Sequence, residues 1–184
     1  MSVKYKINLN KVNKSLIICG FPGVGKSFLT KENPNSVSDS DSSTFDKKNF
    51  PANYIKHIKG LIGKKSIIMI STHEEVIDEM EKLNVNFIIV HPARELKDEY
   101  LKRYEERGSP EGFIKLLSDK WDEFQDAIEK PRDNSWKLIL QKGEFLSDYF
   151  EKYNKLSGLV LPFLSILYQP KCLFQITSSN YLCI

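Results

Sequence analysis

The chain has 184 residues, of which 41% are hydrophobic and 28% are charged, and its formal net charge at pH 7 is +3. This length and composition are typical of a soluble globular protein with one main domain. The net charge is too small for a protein that coats nucleic acid, although local basic patches are compatible with it.

The cysteines and the apolar segments indicate where the protein works. Cys19, Cys172 and Cys183 are an odd number without a CxxC pair, which disfavours a disulfide framework or a zinc site and favours a reducing cytosol. The N-terminus lacks the apolar region of a signal peptide. The apolar segment 156–168 is too short to span a bilayer, and Pro162 interrupts it. We predict a cytoplasmic protein in which this segment is buried or covered by a partner, with membrane contact as the alternative.

Short apolar runs predict the strands of a buried sheet. Four of them are dense in Ile, Val and Leu with little alternation, as in strands that are covered on both faces of a parallel sheet. A fifth, weaker strand is predicted at 35–39. The four runs are SLIIC (15–19), SIIMI (66–70), VNFIIV (85–90) and WKLIL (136–140).

Segments with helical periodicity lie between these runs. We predict helices at 51–62, 73–83, 95–108 and 109–128, the last with a stripe of large apolar side chains. Alternating strands and helices indicate an α/β fold with right-handed crossovers. We expect the compact domain to cover residues 1–150, followed by an appendage at 151–184 whose role we do not assign.

Residues 20–27, GFPGVGKS, match the phosphate-binding loop GxxxxGK[ST] and lie between a predicted strand and a predicted helix. In such a loop, backbone N–H groups turn toward an anion, Lys26 reaches the β- and γ-phosphates, and the Ser27 hydroxyl ligates Mg²⁺. The alternative is a glycine-rich turn that matches by chance. We predict that the loop binds ATP through Gly20, Pro22, Gly23, Val24, Gly25, Lys26, Ser27 and Phe28.

Two acidic residues follow the second predicted strand. Asp39 and Asp41 are spaced i, i+2 on an extended segment and so point the same way. Asp39 is a candidate for orienting Mg²⁺, and both are candidates for accepting a proton from an acceptor hydroxyl. The alternative is a solvated polar turn, since Ser and Asp are common in turns.

The segment HPARELKDEYLKRYEERG carries two arginines, Arg103 and Arg107, on one helical face. Phosphoryl transfer needs cations around the moving group, and a mobile basic helix can supply them as it closes. We predict a lid at about 94–112 with Arg103 and Arg107 as catalytic residues. The alternative is surface ion pairing, because Glu99 lies four residues before Arg103.

The third predicted strand ends at Ser71, Thr72 and His73, and ligands of open α/β sheets collect beyond such ends. These residues are candidates for substrate binding, or they are simply the N-cap of the next helix. Tyr54 is a further candidate for the substrate site. It belongs to a group of rings that either bind a base or form core, namely Phe45, Phe50, Tyr54 and His57.

No apolar run ends in the Asp of a Walker B motif, and no NKxD motif for guanine is present. Motor ATPases and GTPases are therefore disfavoured.

The loop GFPGVGKS, the segment DSDSS and the late RYEERG helix together resemble the small P-loop kinases, such as nucleoside monophosphate, shikimate and gluconate kinases. The segments STH, HPARELKDEYLKRYEERG and KGEFLSDYF are also similar to a group of uncharacterised nucleotide-kinase-like proteins, many of them from phages and Gram-positive bacteria. The resemblance covers roughly residues 14 to 150.

The resemblance implies a three-layer α/β/α P-loop NTPase fold with a mostly parallel sheet of about five strands and a helical lid. It implies a phosphotransferase of nucleoside-kinase type that uses ATP and Mg²⁺ with a small hydroxyl or phosphate acceptor. Asp39 and Asp41 would then meet the acceptor, and Arg103 and Arg107 would meet the phosphates. The sequence does not indicate the oligomeric state.

Two other functions stay open. One is a kinase of a nucleic-acid end or a sugar nucleotide, similar to the zeta-toxin-like proteins; nucleic acid is a possible partner but not the favoured one. The other is a nucleotide-binding module without catalysis. In the first, a group of lysines would line the channel, or else be plain solvated surface: Lys47, Lys48, Lys56, Lys59, Lys64 and Lys65.

Overall fold

A computed structural model of the chain describes residues 15–150. The predicted apolar segment at 156–168, Cys172, Cys183 and the appendage at 151–184 lie outside the described residues. By its internal contacts the chain divides into two units, Met1–Ser147 and Asp148–Ile184. The described residues 15–147 belong to the first unit and contain all the elements given below.

The core of the first unit is a parallel sheet of five strands in the order β2-β3-β1-β4-β5. This confirms the predicted α/β class and the predicted number of strands. The strands are β1 (Leu16–Gly20), β2 (Val37–Asp39), β3 (Ile67–Ile70), β4 (Phe87–Pro92) and β5 (Ser135–Leu140).

The central strand β1 pairs with β3 on one side and with β4 on the other, so that Ile18 lies opposite Met69 and Ile88. Side chains of β1, β3 and β4 are almost completely buried, as expected for strands that are covered on both faces. Because all strands run the same way, their carboxyl ends and the loops that follow gather at one edge of the sheet.

Six α-helices connect these strands in the described part. A short 3-10 turn (Ser42–Thr44) follows β2, and another (Arg94–Leu96) precedes α4. The helices are α1 (Lys26–Glu32), α2 (Ala52–Leu61), α3 (Glu74–Lys82), α4 (Lys97–Glu106), α5 (Glu111–Asp119) and α6 (Trp121–Glu129).

The prediction of one helix at 109–128 was wrong. Two helices, α5 and α6, occupy this range, and the helical backbone is interrupted between them at Lys120 (φ −111°, ψ 17°). The break turns Trp121 inward. Its indole Nε1 donates to the carbonyl oxygen of Arg94 at 2.8 Å, and its ring lies 5.4 Å from that of Phe21. Burial of this large ring accounts for the break, since tertiary packing overrides helical periodicity.

The fifth strand also differs from its prediction. Within residues 15–150, β5 pairs only with β4 and lies at the edge of the sheet, and exposed side chains show that it is less covered than predicted. Trp136 is 37% exposed and Ile139 is 45% exposed. No helix of the described part is both long enough and apolar enough to span a bilayer.

Candidate functional site

The loop 20–27 folds around the side chain of Lys26. The ammonium Nζ donates to the carbonyl oxygens of Gly20 at 2.6 Å and of Phe21 at 3.1 Å. The lysine stem passes so close to Gly20 that a Cβ there would lie 2.8 Å from Lys26 Cδ. Only glycine leaves room for this path, which explains why the loop begins with that residue.

Partial burial lowers the pKa of Lys26 from 10.5 to about 8. The carboxylates of Asp39 and Asp41 oppose this shift, whereas the positive charge of Arg107 adds to it. The pKa of Lys26 is therefore affected by the charges of three other residues that the sequence predicts to be catalytic.

Ser27, at the start of α1, donates through its hydroxyl to Asp39 Oδ2 at 2.7 Å. The two residues are brought together because β2 ends at Asp39, at the edge where the loop after β1 also lies. A hydroxyl beside a carboxylate is the donor set that Mg²⁺ takes from a protein when phosphate oxygens and water complete its shell. No group of three or more His, Cys, Asp or Glu side chains within residues 15–150 could hold a metal ion. The Ser27–Asp39 pair offers two oxygen ligands of the kind that Mg²⁺ binds.

Asp41 lies two residues beyond the end of β2. Its backbone is still extended (φ −71°, ψ 113°). The exposed side chain of Asp41 caps the 3-10 turn, with Oδ1 accepting from the backbone N–H of Ser43 at 2.8 Å. Asp41 is thus part of a polar turn, which the sequence allowed as the alternative. Its charge also raises the pKa of Lys26 and so opposes the effect of burial.

Helix α4, which lies within the predicted lid, contacts the loop 20–27 directly. The Tyr104 hydroxyl donates to the carbonyl oxygen of Pro22 at 2.9 Å. Gly23 has a left-handed φ of +84°, and a Cβ there would meet the rings of Tyr104 at 3.0 Å and Tyr100 at 3.3 Å. Both tyrosines are fully buried. Helix α4 thus packs against the loop 20–27 through these two tyrosines.

Arg103 and Arg107 have different surroundings. Arg103 is paired with Glu99 at 2.5 Å, donates to the carbonyl oxygen of Glu144, and lies over the rings of Tyr100 and Phe145. Ion pairing, the alternative expected from the sequence, is what the structure shows for Arg103. Arg107 is exposed and donates through Nε to Ser109 Oγ at 2.7 Å.

The residues after β3 are linked to the loop after β2. Ser71 N–H donates to Tyr54 Oη at 3.0 Å, and the Tyr54 hydroxyl donates to the carbonyl oxygen of Ser40 at 2.5 Å. Tyr54 is completely buried. Both of its hydrogen bonds join protein segments, and its predicted contact with substrate stays a prediction.

His73 is exposed at the same edge, and its Nδ1 lies 2.9 Å from Ser71 Oγ. Partial burial lowers the pKa of His73. Its ring lies 5.2 Å from that of Phe50, which also carries the Lys47 ammonium 4.9 Å above its centre. Thr72 is half-buried between Ser71 and His73. The side chains of His73, Phe50 and Lys47 thus form one partly exposed cluster.

Two features of the site escaped sequence reasoning. The contact of Tyr104 with Pro22 joins residues that are 82 positions apart, and no local sequence pattern predicts it. Ser40 is buried, and its Oγ lies 3.1 Å from His57 Nε2. A serine between two aspartates is typical of a solvated turn, so the sequence did not predict that Ser40 is buried and in contact with His57.

No family model matches the sequence, and no curated protein matches it either. Three solved structures are similar to it at low identity. The SH3-kinase fragment of tight junction protein 3 is 9% identical with a TM-score of 0.43, and the match covers 77% of this chain and 55% of that one. The chain thus spans about half of that fragment.

A polyphosphate kinase 2 from Arthrobacter aurescens is 12% identical with a TM-score of 0.49, over 88% of this chain and 72% of that one. An uncharacterised protein from Eubacterium ventriosum is 14% identical with a TM-score of 0.39, over 78% of this chain and 99% of that one. The assignment of the fold rests on the sheet itself and not on these similarities.

Proposed function

We propose that the protein is an ATP-dependent phosphotransferase that moves the γ-phosphate of ATP to a nucleotide, a nucleoside or a similar small acceptor in the cytoplasm. The observation that carries this proposal is the 2.7 Å contact of Ser27 with Asp39, beside the loop that encloses Lys26. A glycine-rich turn without a phosphate has no need for a hydroxyl and a carboxylate to meet next to a partly buried lysine.

Lys26 is the phosphate ligand in this proposal. Its ammonium is bonded to two loop carbonyl oxygens, which it exchanges for phosphate oxygens when ATP binds. Ser27 and Asp39 hold Mg²⁺, which neutralises charge on the phosphate oxygens when it is bound. The backbone N–H groups of residues 23–28 complete the phosphate site.

Asp41 is the residue that we assign to the acceptor. Only Oδ1 of its carboxylate has a hydrogen-bond partner in the described part of the chain, so Oδ2 can accept the proton of an acceptor hydroxyl. The exposed cluster of Phe50, Lys47 and His73, with Ser71 and Thr72 behind it, would contact the rest of the acceptor.

Of the two lid arginines, we assign the transferring phosphate to Arg107. Its guanidinium is exposed, and its charge already acts on Lys26. Arg103 would instead hold α4 to the segment around Glu144. A lid at 94–112 would then move chiefly at its far end, from Arg107 through Gly108 to the start of α5, because Tyr100 and Tyr104 hold the first part against the loop.

The test is an ATP-consumption screen with Mg²⁺ in which nucleoside monophosphates, nucleosides, sugar nucleotides and DNA ends are offered in turn. We expect consumption that depends on one acceptor class. The variant Asp41→Asn should lower transfer by at least about 100-fold, the usual size of general-base catalysis, while ATP binding is retained.

The matched control is Asp46→Asn, an exposed aspartate of the same loop whose carboxylate accepts from the N–H of Lys48 and from Asn49 Nδ2. It should transfer at the wild-type rate. Wild-type turnover by Asp41→Asn would contradict the role of Asp41. ATP binding without consumption for any acceptor would favour a nucleotide-binding module.

A further inference from the structure

One segment within residues 15–150 carries a large excess of positive charge. Residues 46–73 contain six lysines and one acidic residue, Asp46, which gives a formal charge of +5. The whole chain has a formal charge of +3, so the remaining residues together carry −2. The segment 46–73, most of which joins β2 to β3, is therefore basic, whereas the formal charges of all other residues sum to a small negative value.

These lysines are not neutralised by neighbouring acids. Within residues 15–150, none of the six forms an ion pair, whereas lysines elsewhere pair with Glu79, Glu106, Asp119, Glu123 and Glu74. The carboxylate of Asp46 is bonded to a backbone N–H and to an asparagine. A surface of unpaired lysines gains most when an anion arrives from solution.

The arrangement of the lysines follows helix α2. Lys56 and Lys59 are three residues apart on its exposed face, opposite the buried Tyr54, Ile55 and Ile58. Lys48 precedes the helix and Lys64 follows it, and both are exposed. Ten helical residues span about 15 Å, a length that fits several successive phosphates of an extended strand.

Aromatic rings lie at the end of α2 that is nearer the proposed active site. Phe50 is partly exposed, packs against His73 and carries Lys47 above its ring. Phe45 is also partly exposed and lies 5.2 Å from the ring of His57. A row of cations that leads to partly exposed rings is the combination that binds single strands, since phosphates pair with lysines while bases stack.

We propose that the exposed face of α2, with Lys48, Lys56, Lys59 and Lys64, binds single-stranded nucleic acid. Its phosphates lie along the helix, and one end reaches the rings of Phe45 and Phe50. This binding goes beyond the proposed phosphotransferase and does not depend on it, because it needs neither ATP nor Lys26.

The experiment measures fluorescence anisotropy of a labelled oligothymidylate of about 12 nucleotides, a length within the range of known single-strand sites. The full chain is used without ATP or Mg²⁺, over a series of KCl concentrations. Four phosphate contacts predict a slope of log K against log salt of about −2.8. The double variant Lys56→Gln/Lys59→Gln should bind several-fold more weakly and reduce the slope to about −1.4.

The matched control is Lys102→Gln/Lys115→Gln, which removes two exposed lysines from α4 and α5. It should bind as the wild type does. All four substituted side chains are exposed, and thermal unfolding checks that each variant is folded. Absence of binding at low salt would overturn the proposal, as would an equal loss in the control. Binding of inorganic polyphosphate but not of the oligonucleotide would overturn the assignment to nucleic acid. None of these results depends on whether phosphoryl transfer occurs.

Discussion

At the scale of single residues, the surroundings of Lys26 determine the pKa of its ammonium group. Its stem lies against Gly20, its ammonium is held by two carbonyl oxygens, and burial lowers its pKa to about 8. A lysine in this state carries its charge at neutral pH but loses it just above that range. The loop thus holds a partly buried cation whose affinity for its proton is reduced by burial.

We therefore expect ATP binding to weaken as pH rises through the pKa of Lys26. If only the charged lysine binds phosphate, a pKa of about 8 predicts roughly tenfold weaker binding at pH 9 than at pH 7. Calorimetric titration with a non-hydrolysable ATP analogue measures this. Lys26→Arg, which stays charged throughout, should show no such loss, and an equally steep profile in that variant would assign the effect to another group.

The same shift has a consequence for stability. The folded pKa of Lys26 lies below the unfolded value of 10.5, so the unfolded chain binds more protons between about pH 8 and 10.5. In the absence of ligand, the contribution of Lys26 to the free energy of unfolding is unfavourable below pH 8. It becomes less so as pH rises across this window.

At the scale of elements, the central contact is that of α4 with the loop 20–27. Tyr104 bonds to Pro22, and the rings of Tyr100 and Tyr104 occupy the space that a side chain at position 23 would need. Gly23 is therefore constrained twice, by its left-handed backbone and by the rings below it. Three acids of α6 hold Arg94 just before α4 begins.

Gly23→Ala tests this contact. A left-handed alanine costs about 1–2 kcal/mol, and displacement of the tyrosines adds to that cost. We expect a lower free energy of unfolding in urea and weaker ATP binding. Gly112→Ala in α5 is the control, since its Cβ would meet nothing within 4 Å. It should gain up to about 1 kcal/mol from helix propensity. An unchanged free energy of unfolding in Gly23→Ala would contradict this, because it would mean that α4 is displaced at little cost.

The elements also show what the sequence predicts well. The loop 20–27 is a local motif, and the run of Ile and Leu before it identifies β1. Asp39 was identifiable because parallel strands end at one edge. By contrast, the roles of Tyr104 and Arg103 depend on contacts with distant segments, and the break at Lys120 depends on the burial of Trp121. No periodicity within a helix contains that information, since it arises from the packing between elements.

At the scale of the whole molecule, the sheet is strongest at its centre. β1, β3 and β4 are buried on both sides, whereas β5 is an edge strand with several exposed side chains. Exposed edge segments open at lower free energy than buried ones. The first unit should therefore have a graded resistance to local opening, from the central strands to β5.

Hydrogen exchange measures this gradient. We expect the amides of Ile17, Ile18, Ile68 and Ile89 to exchange slowest, and those of β5 at least about tenfold faster, which corresponds to 1.4 kcal/mol. Nucleotide binding should slow exchange in residues 20–27 most. Equal protection in β1 and β5 would mean that the sheet opens only as one unit.

The packing of Trp121 has an optical consequence. The chain has two tryptophans, Trp121 and Trp136. Trp121 is 1% exposed and its ring lies 5.4 Å from that of Phe21 in the loop 20–27, whereas Trp136 is 37% exposed on β5. Replacement of Trp136 by Phe would leave a single indole whose emission reports on that loop. The protein would thus carry its own fluorophore for following ligand arrival in a stopped-flow instrument, without any attached label.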